Sequence, residues 1–348
     1  MRRLTPALLV ACALLAPAVP AAAAEPWERA DESISCADDE GSRPFYNGPS
    51  ASTVYDGTFA LARAVPGPLL DGYVPQGLGT WRAWGGRGVD LLVQSAYNDT
   101  TDRAVIVGMV PGGATTRMPV LVRPGGRDPV DAHVGGVAVV GPWLFVAGEE
   151  VGGVPTVLRF PLDRVRERLA DGRPLTAAAE HRLEVGTSGF NASFLAADGD
   201  GFWAGTFSQD ARNRMYRFRV GPKGGPRLIG TSGSWIQVPK KTQGLAVTRT
   251  HFFFSTSYGS ENRSNVYVVR RGRRDLDDAY PQDVTCFAAP SMAEGITLSR
   301  GRAFLSFESG SYKYRGDACD RGIFEGGCTR NEITHLHRAS VRALQGMT

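Results

Sequence analysis

TQGLAV at Thr242 to Val247, followed by FFSTSY at Phe253 to Tyr258, decides the fold, because the chain says this phrase five times. The other copies open with PQGLG at Pro75 to Gly79, HVGGVAV at His133 to Val139, NASFLA at Asn191 to Ala196 and AEGITL at Ala293 to Leu298. Aligned on Gly77, Gly136, Ser193, Gly244 and Gly295, they are spaced by 59, 57, 51 and 51 residues. Self-similarity at roughly 40 to 60 residues predicts a propeller with one four-stranded blade per repeat.

The second strand of each copy confirms the register. At one offset stand Phe145 to Glu150, Phe202 to Phe207, Phe253 to Tyr258 and Phe304 to Ser309, and the first copy reaches Val93 to Tyr97 after an insertion at Trp84 to Gly88. Aromatic and β-branched residues bounded by Gly and polar turns read as strands. Third strands follow at Ala104 to Val110, Thr156 to Phe160, Met215 to Val220, Asn265 to Arg270 and Ile333 to Arg338. Fourth strands are expected at Val120 to Arg123, Leu183 to Val185, Trp235 to Val238 and Val284 to Phe287.

The fifth copy runs out of chain before its fourth strand. Thr58 to Val65 (TFALARAV) lies just before the first anchor, where a fourth strand always sits. The expectation is an all-β, five-bladed propeller over 58–348 whose last blade is completed by this N-terminal strand, which removes an unpaired seam. Six blades would need further strands in the extension 25–57. With 42% apolar residues, 43 Gly and 22 Pro, the composition suits one large turn-rich domain. One segment reads as helix, Arg164 to Ala170, capped by Asp163 and ended by Gly172.

Residues 1–24 read as an export signal: Arg2 and Arg3, an apolar stretch from Leu4 to Val19, and Ala22 to Ala24 before Glu25. A secreted, extracellular protein with no membrane attachment after cleavage is expected, and it is expected to act as a monomer. Loss of Arg2 and Arg3 takes the net charge from +4 to +2. The one basic tract, Arg270 to Arg274, sits beside Asp275, Asp277 and Asp278, which gives nucleic acid binding no support. Cys36, Cys286, Cys319 and Cys328 remain, and an even count outside the cell predicts two disulfides. Cys319 and Cys328 share one hairpin loop, which leaves Cys36 for Cys286 on the outer strand of blade 4. Zinc competes poorly, since no Cys-x-x-Cys pair exists.

The candidate site is the mouth where the five inner strands begin. Gln76, Gln243 and Glu294 stand just before their anchors, opposite Gly135 and Ala192, with His133 and Asn191 slightly further out. These long polar side chains converge on one ligand, or else they bond backbone groups of neighbouring blades. Glu149 and Glu308, at the ends of second strands, are candidate acids or metal ligands. A carboxylate pair about 5 to 10 Å apart would permit glycoside hydrolysis. The same acids with Asn98, Asp99 or Asn191 could hold Ca²⁺. Asp198-Gly199-Asp200-Gly201 reads as a tight hairpin turn, and no G-x-S-x-G elbow is present.

The phrases Pro75-Gln76-Gly77-Leu78, Thr242 to Val247 with Phe253 to Gly259, and Ala293-Glu294-Gly295-Ile296 resemble secreted actinobacterial propeller proteins. More distantly, they are similar to the superfamily of gluconolactonases, strictosidine synthase-like proteins and streptogramin lyases. Lactonases of that superfamily place Glu, Asn and Asp around a calcium ion, and Glu294 alone has a counterpart here. They commonly have six blades. Three functions follow as expectations: a binding propeller for a small molecule, glycan or cell-wall component; an extracellular hydrolase or lactonase, calcium-assisted in one version; or an interaction scaffold using outer loops such as Gly310 to Arg330.

Overall fold

The structure, a computed structural model, describes residues 25, 27–28, 34–86, 88–276, 282–315 and 328–348. The expected signal segment 1–24 and Cys319, and with it the Cys319–Cys328 pairing, lie outside the described residues.

Five small sheets form a five-bladed propeller. Blade 1 is built on Tyr73–Trp81, Leu91–Asn98 and Ala104–Met109, and blade 2 on Val137–Val140, Trp143–Val151, Val154–Pro161 and Ala179–Arg182. Blade 3 has Phe194–Asp198, Gly201–Gly205 and Asn213–Val220, with its outer edge shared by Pro226–Leu228 and Ile236–Val238. Blade 4 has Thr242–Val247, His251–Thr256, Ser264–Arg270 and Val284–Ala289. Blade 5 has Ala293–Ser299, Arg302–Phe307 and His335–Ser340, and its fourth strand is Phe59–Ala64 from the N-terminal side. The closure expected from Thr58 to Val65 is therefore present.

The period of two along each strand explains how blades stack. In blade 4, Phe252 and Phe254 point toward blade 3 and pack with Phe194, Trp203 and Met215, whereas Phe253 points toward blade 5 and packs with Ile296, Ala303 and Leu305. Similar apolar clusters fill the junctions of blades 1 with 2, 2 with 3, and 5 with 1. Five junctions each hold a core, so the ring has no open seam.

The recurring glycines are explained at the axis. A Cβ on Gly77 would lie 2.7 Å from Gly135 O, on Gly136 2.4 Å from Leu195 N, on Gly244 2.6 Å from Glu294 O, and on Gly295 2.3 Å from Leu78 N. Four of the five inner strands thus approach the backbone of the next too closely for a side chain, and blade 3 carries Ser193 there. Hydroxyls at one shared offset stitch some of these junctions: Ser95 donates to Val134 O at 2.7 Å, Ser306 to Gln76 O at 3.5 Å, and Ser255 to Glu294 O. Ala147 and Ala204 hold the same offset in blades 2 and 3.

Several local expectations shift. The helix runs Leu162–Asp171 with Pro161 at its N-cap, because Pro161 ends a strand and the helix starts at once. Asp163 lies inside the first turn and accepts the Arg164 N–H, and Gly172 ends the helix at φ 78°. Three short helices join it, at Thr53–Thr58, Gly67–Gly72 and Val341–Gln345. The fourth strand of blade 2 falls at Ala179–Arg182 rather than Leu183 to Val185. In blade 1, Leu121–Val122 pairs in parallel with Leu175–Thr176, and only a single bridge, Val105 to Val120, links this segment to the sheet.

Before Phe59, Trp27 packs against blade 3 beside Trp235, and residues 36–58 lie along blades 4 and 5. Cys36 is bonded to Cys286 with a Cα separation of 4.4 Å, and Ala37 bridges Phe287 in parallel. Ser52 caps Thr53–Thr58 and donates to Ala288 O, while the Tyr55 hydroxyl bonds His337 Nδ1 at 2.7 Å. Burial lowers the His337 pKa to about 3, so this ring is neutral packing material.

Candidate functional site

At the mouth where the inner strands begin, the hairpin register breaks. In blades 1, 4 and 5 the pairing shifts between Pro75 and Leu78, between Thr242 and Gly244, and between Ala293 and Ile296. Each irregularity contains one of the residues singled out above: Gln76, Gln243 or Glu294. An extra residue on one strand re-aims its side chain, which is why bulges recur beside binding sites. A left-handed residue precedes two of them, Lys241 at φ 61° and Met292 at φ 60°. Their carbonyls accept from Ser257 N and Glu308 N at 2.8 and 3.0 Å. The end of the second strand is thereby folded back beside the start of the first, so Glu308 meets the Glu294 side of the mouth.

Glu294 is 1% exposed, and its Oε1 has no hydrogen-bond partner. Burial first, and the Glu308 charge second, hold its carboxyl well above the usual range. Glu308 stands in front of it and lines the cleft. Burial pushes Glu308 up to about 7, against the lowering effects of a hydrogen bond from Gln76 Nε2 and of the Lys313 charge. Gln76 Nε2 also donates to its own Pro75 O at 3.0 Å. Of the two anticipated roles for Gln76, the structure places its amide on a carboxylate at the mouth and not on a neighbouring blade's backbone. The inter-blade bonds are made by Ser95, Ser255 and Ser306 instead.

Aromatic rings form the walls. Tyr97 is stacked on His133 with ring centroids 4.2 Å apart and planes 7° from parallel. The Tyr97 and Tyr314 hydroxyls hydrogen-bond each other, and burial followed by the Glu308 charge raises both phenols. Burial lowers His133, which is neutral at pH 7. Lys313 Nζ lies 5.6 Å from the Tyr97 and the Tyr314 ring centroids. Phe207 and Tyr258 stand 6.3 Å apart on the far wall. Two adjoining cavities result, of about 510 and 400 Å³, and they share His133, Gln243, Tyr258 and Glu308.

The remaining candidates sit in the same mouth with other duties. Asn191 lines the larger cavity, but its Oδ1 accepts from the Ser193 hydroxyl at 2.5 Å and from Phe207 N at 3.3 Å, which braces blade 3. Glu149 is on the opposite rim and is ion-paired with Arg123, which also holds Glu180 at 2.9 Å. Asn98 turns away: its Nδ2 donates to Gly72 O at 2.8 Å and its Oδ1 accepts from Thr101 N at 2.9 Å. Among the described residues, no group of three or more His, Cys, Asp or Glu is placed to share a metal ion. In the Asp198 to Gly201 turn both carboxylates are engaged by Arg217, at 3.3 and 3.0 Å, so the hairpin reading applies there.

Sequence reasoning missed Tyr97, Tyr314 and Lys313 as site residues. Phe207 and Tyr258 share one offset after their anchors, so an aromatic column was available. Nothing local marked Tyr312–Tyr314, a single 3₁₀ turn, as reaching the mouth.

The sequence matches no protein-family profile, and it matches no curated protein. Solved structures similar to the chain include the following two. One is apo ctPRC2 in an autoinhibited state, at 12% identity and a TM-score of 0.32, covering 72% of this chain and 51% of that one. The chain thus spans about half of that chain's length. The other is a GH43_1 enzyme from Xanthomonas citri, at 12% identity and a TM-score of 0.37, covering 80% of this chain and 90% of that one. Neither likeness brings an activity or a ligand to this chain.

Proposed function

We propose that the protein is an exported binding propeller that holds a small polar molecule, or one unit of a glycan or cell-wall component, at the mouth formed by Gln76, His133, Gln243 and Glu308. The observation that carries this reading is the division of labour between the two carboxyls. Glu308 faces the cleft, whereas Glu294 is shut behind it. Hydrolysis by a carboxylate pair needs both acids on the reacting bond, and of the other acids lining the larger cavity Glu149 is ion-paired with Arg123, while Glu150 lies exposed at the rim. The Glu308 carboxyl, an amide on either side and aromatic walls make a recognition surface: concave, partly apolar, with a few fixed polar groups. The Cys36–Cys286 bond supports export to an oxidising compartment, and among the described residues no helix is long and apolar enough to cross a membrane.

One observation favours the hydrolase reading. A carboxyl pushed up to about 7 is matched to proton transfer at neutral pH. A single experiment separates the two. The mature chain is screened by saturation-transfer NMR against N-acetylglucosamine, cellobiose, gluconolactone, small amines and small alcohols, with product analysis of each mixture. Binding without turnover, weakened at least tenfold in Glu308→Gln, is expected. Turnover lost in Glu308→Gln replaces binding with catalysis, and no bound probe at millimolar concentration overturns both.

A further inference from the structure

The mouth already holds an ammonium group of the protein itself. Lys313 Nζ sits 5.6 Å from the centroids of both Tyr97 and Tyr314, on the cavity that Glu308 also lines. Outside the two mouth cavities, Lys241 Nζ lies 5.7 Å from the Tyr258 ring in a separate small pocket. A cation over tyrosine faces, with a carboxylate beside it, is the arrangement that recognises organic ammonium ions, because the ring quadrupole and the anion both attract positive charge without a directional hydrogen bond. Behind Glu308 stands the unpartnered, buried Oε1 of Glu294. Among the described residues nothing is bonded to it, which leaves an acceptor oxygen at the floor.

We propose that the ligand taken at this mouth is an organic ammonium ion, and that Lys313 is a tethered stand-in which such a ligand displaces from the Tyr97 and Tyr314 rings. This rests on the binding reading above and narrows it to one charge class. Lys313 belongs to a one-turn 3₁₀ segment, Tyr312–Tyr314, with Tyr312 43% exposed, so its side chain can swing to solvent without disturbing a blade. The groups facing Glu308 are Glu294, Gln76, Lys313, Tyr97 and Tyr314, and of these only Lys313 is positive. A bound cation therefore favours ionised Glu308. With its free value at about 7, the affinity for a cation rises with pH through that range, and the affinity for a neutral ligand does not.

The test uses the mature chain and two probes of one shape, n-butylammonium and 1-butanol, titrated by isothermal calorimetry between pH 6 and 8. At pH 8 the ammonium is expected to bind at least tenfold more tightly than the alcohol, and to lose several-fold of its affinity by pH 6. Lys313→Met is expected to raise ammonium affinity about fivefold by vacating the rings, and Glu308→Gln to lower it at least tenfold. Both variants are checked for folding by circular dichroism, and the pH titration of the unmodified chain needs no variant. Equal binding of the two probes, or weaker ammonium binding in Lys313→Met, overturns the proposal while leaving a binding protein for neutral ligands. Failure of every probe in the wider screen as well removes the binding reading itself.

Discussion

The five inner strands end in two mouths that share their residues and differ in order. At the far mouth, pairing runs unbroken into tight turns, as in Leu245 with Phe254 through Val247 with Phe252 and Val137 with Val146 through Val140 with Trp143. The cavity there, about 320 Å³, is lined by Leu78, Val137, Val139, Leu245 and Val247, with a hydroxyl pair between Thr80 and Thr297 at 3.0 Å. At the near mouth the register breaks in four blades, and the breaks carry Gln76, Gln243, Glu294 and the approach to Glu149. Regular pairing satisfies the backbone and leaves side chains to pack. Irregular pairing spends some of that order on aiming polar groups inward.

The largest expected effect abolishes both mouths at once. In Gly295→Val the new side chain begins 2.3 Å from Leu78 N, backbone that cannot yield. A loss of about 4 kcal/mol or more is expected, read as failure to fold by circular dichroism and urea unfolding. A normally folded variant would show that the ring is looser at its axis than the glycine column implies.

Glu294→Gln sharpens the contrast, because it keeps the shape of the near mouth and removes its titrating floor. The sign follows from the raised folded-state value. A carboxyl that holds its proton more tightly folded than unfolded favours the fold at low pH, and that advantage is lost as pH rises through the folded value. Glu308, at about 7 against 4.5 unfolded, sets a window from about 4.5 to 7 in the wild type. Glu294 is shifted in the same direction, so Glu294→Gln is expected to be more stable than wild type at pH 8, with the difference disappearing near pH 4 in urea unfolding. Lower stability at pH 8 would mean that the charge at the floor is compensated.

Smaller effects probe the stitching between blades. Ser95→Ala removes donors to Val134 O and Gly77 O and is expected to cost about 1 kcal/mol. Thr297→Val at the far mouth is expected to change stability by less than about 0.5 kcal/mol and to leave ligand affinity unchanged. A comparable loss of ligand affinity in Thr297→Val and in Gln76→Ala would erase the distinction between the mouths.

The architecture was legible because it is repeated. The glycine at Gly77, Gly136, Gly244 and Gly295 and the alternation in Phe252 to Phe254 are local signals that five copies make redundant. Where a blade departs from its siblings, sequence reading slipped, as at Leu121–Val122 and Ala179–Arg182. The site was legible to the same degree. Gln76, Gln243 and Glu294 showed as exceptions within a column, but whether Glu308 joined them depended on hairpin register at the bulges, which no single strand encodes. Tyr97, Lys313 and Tyr314 come from a long connection and an insertion-shifted blade, and only tertiary packing brings them together.

Phe59 pairs with Ala339, so the first strand made waits for the last one before either is complete. The earliest part of the sheet spends synthesis with a bare edge, and the final blade cannot assemble until almost the whole polypeptide has emerged. Closure of the ring is thus the last step of assembly, which suits the export proposed above, since the closed ring forms only after the chain has passed.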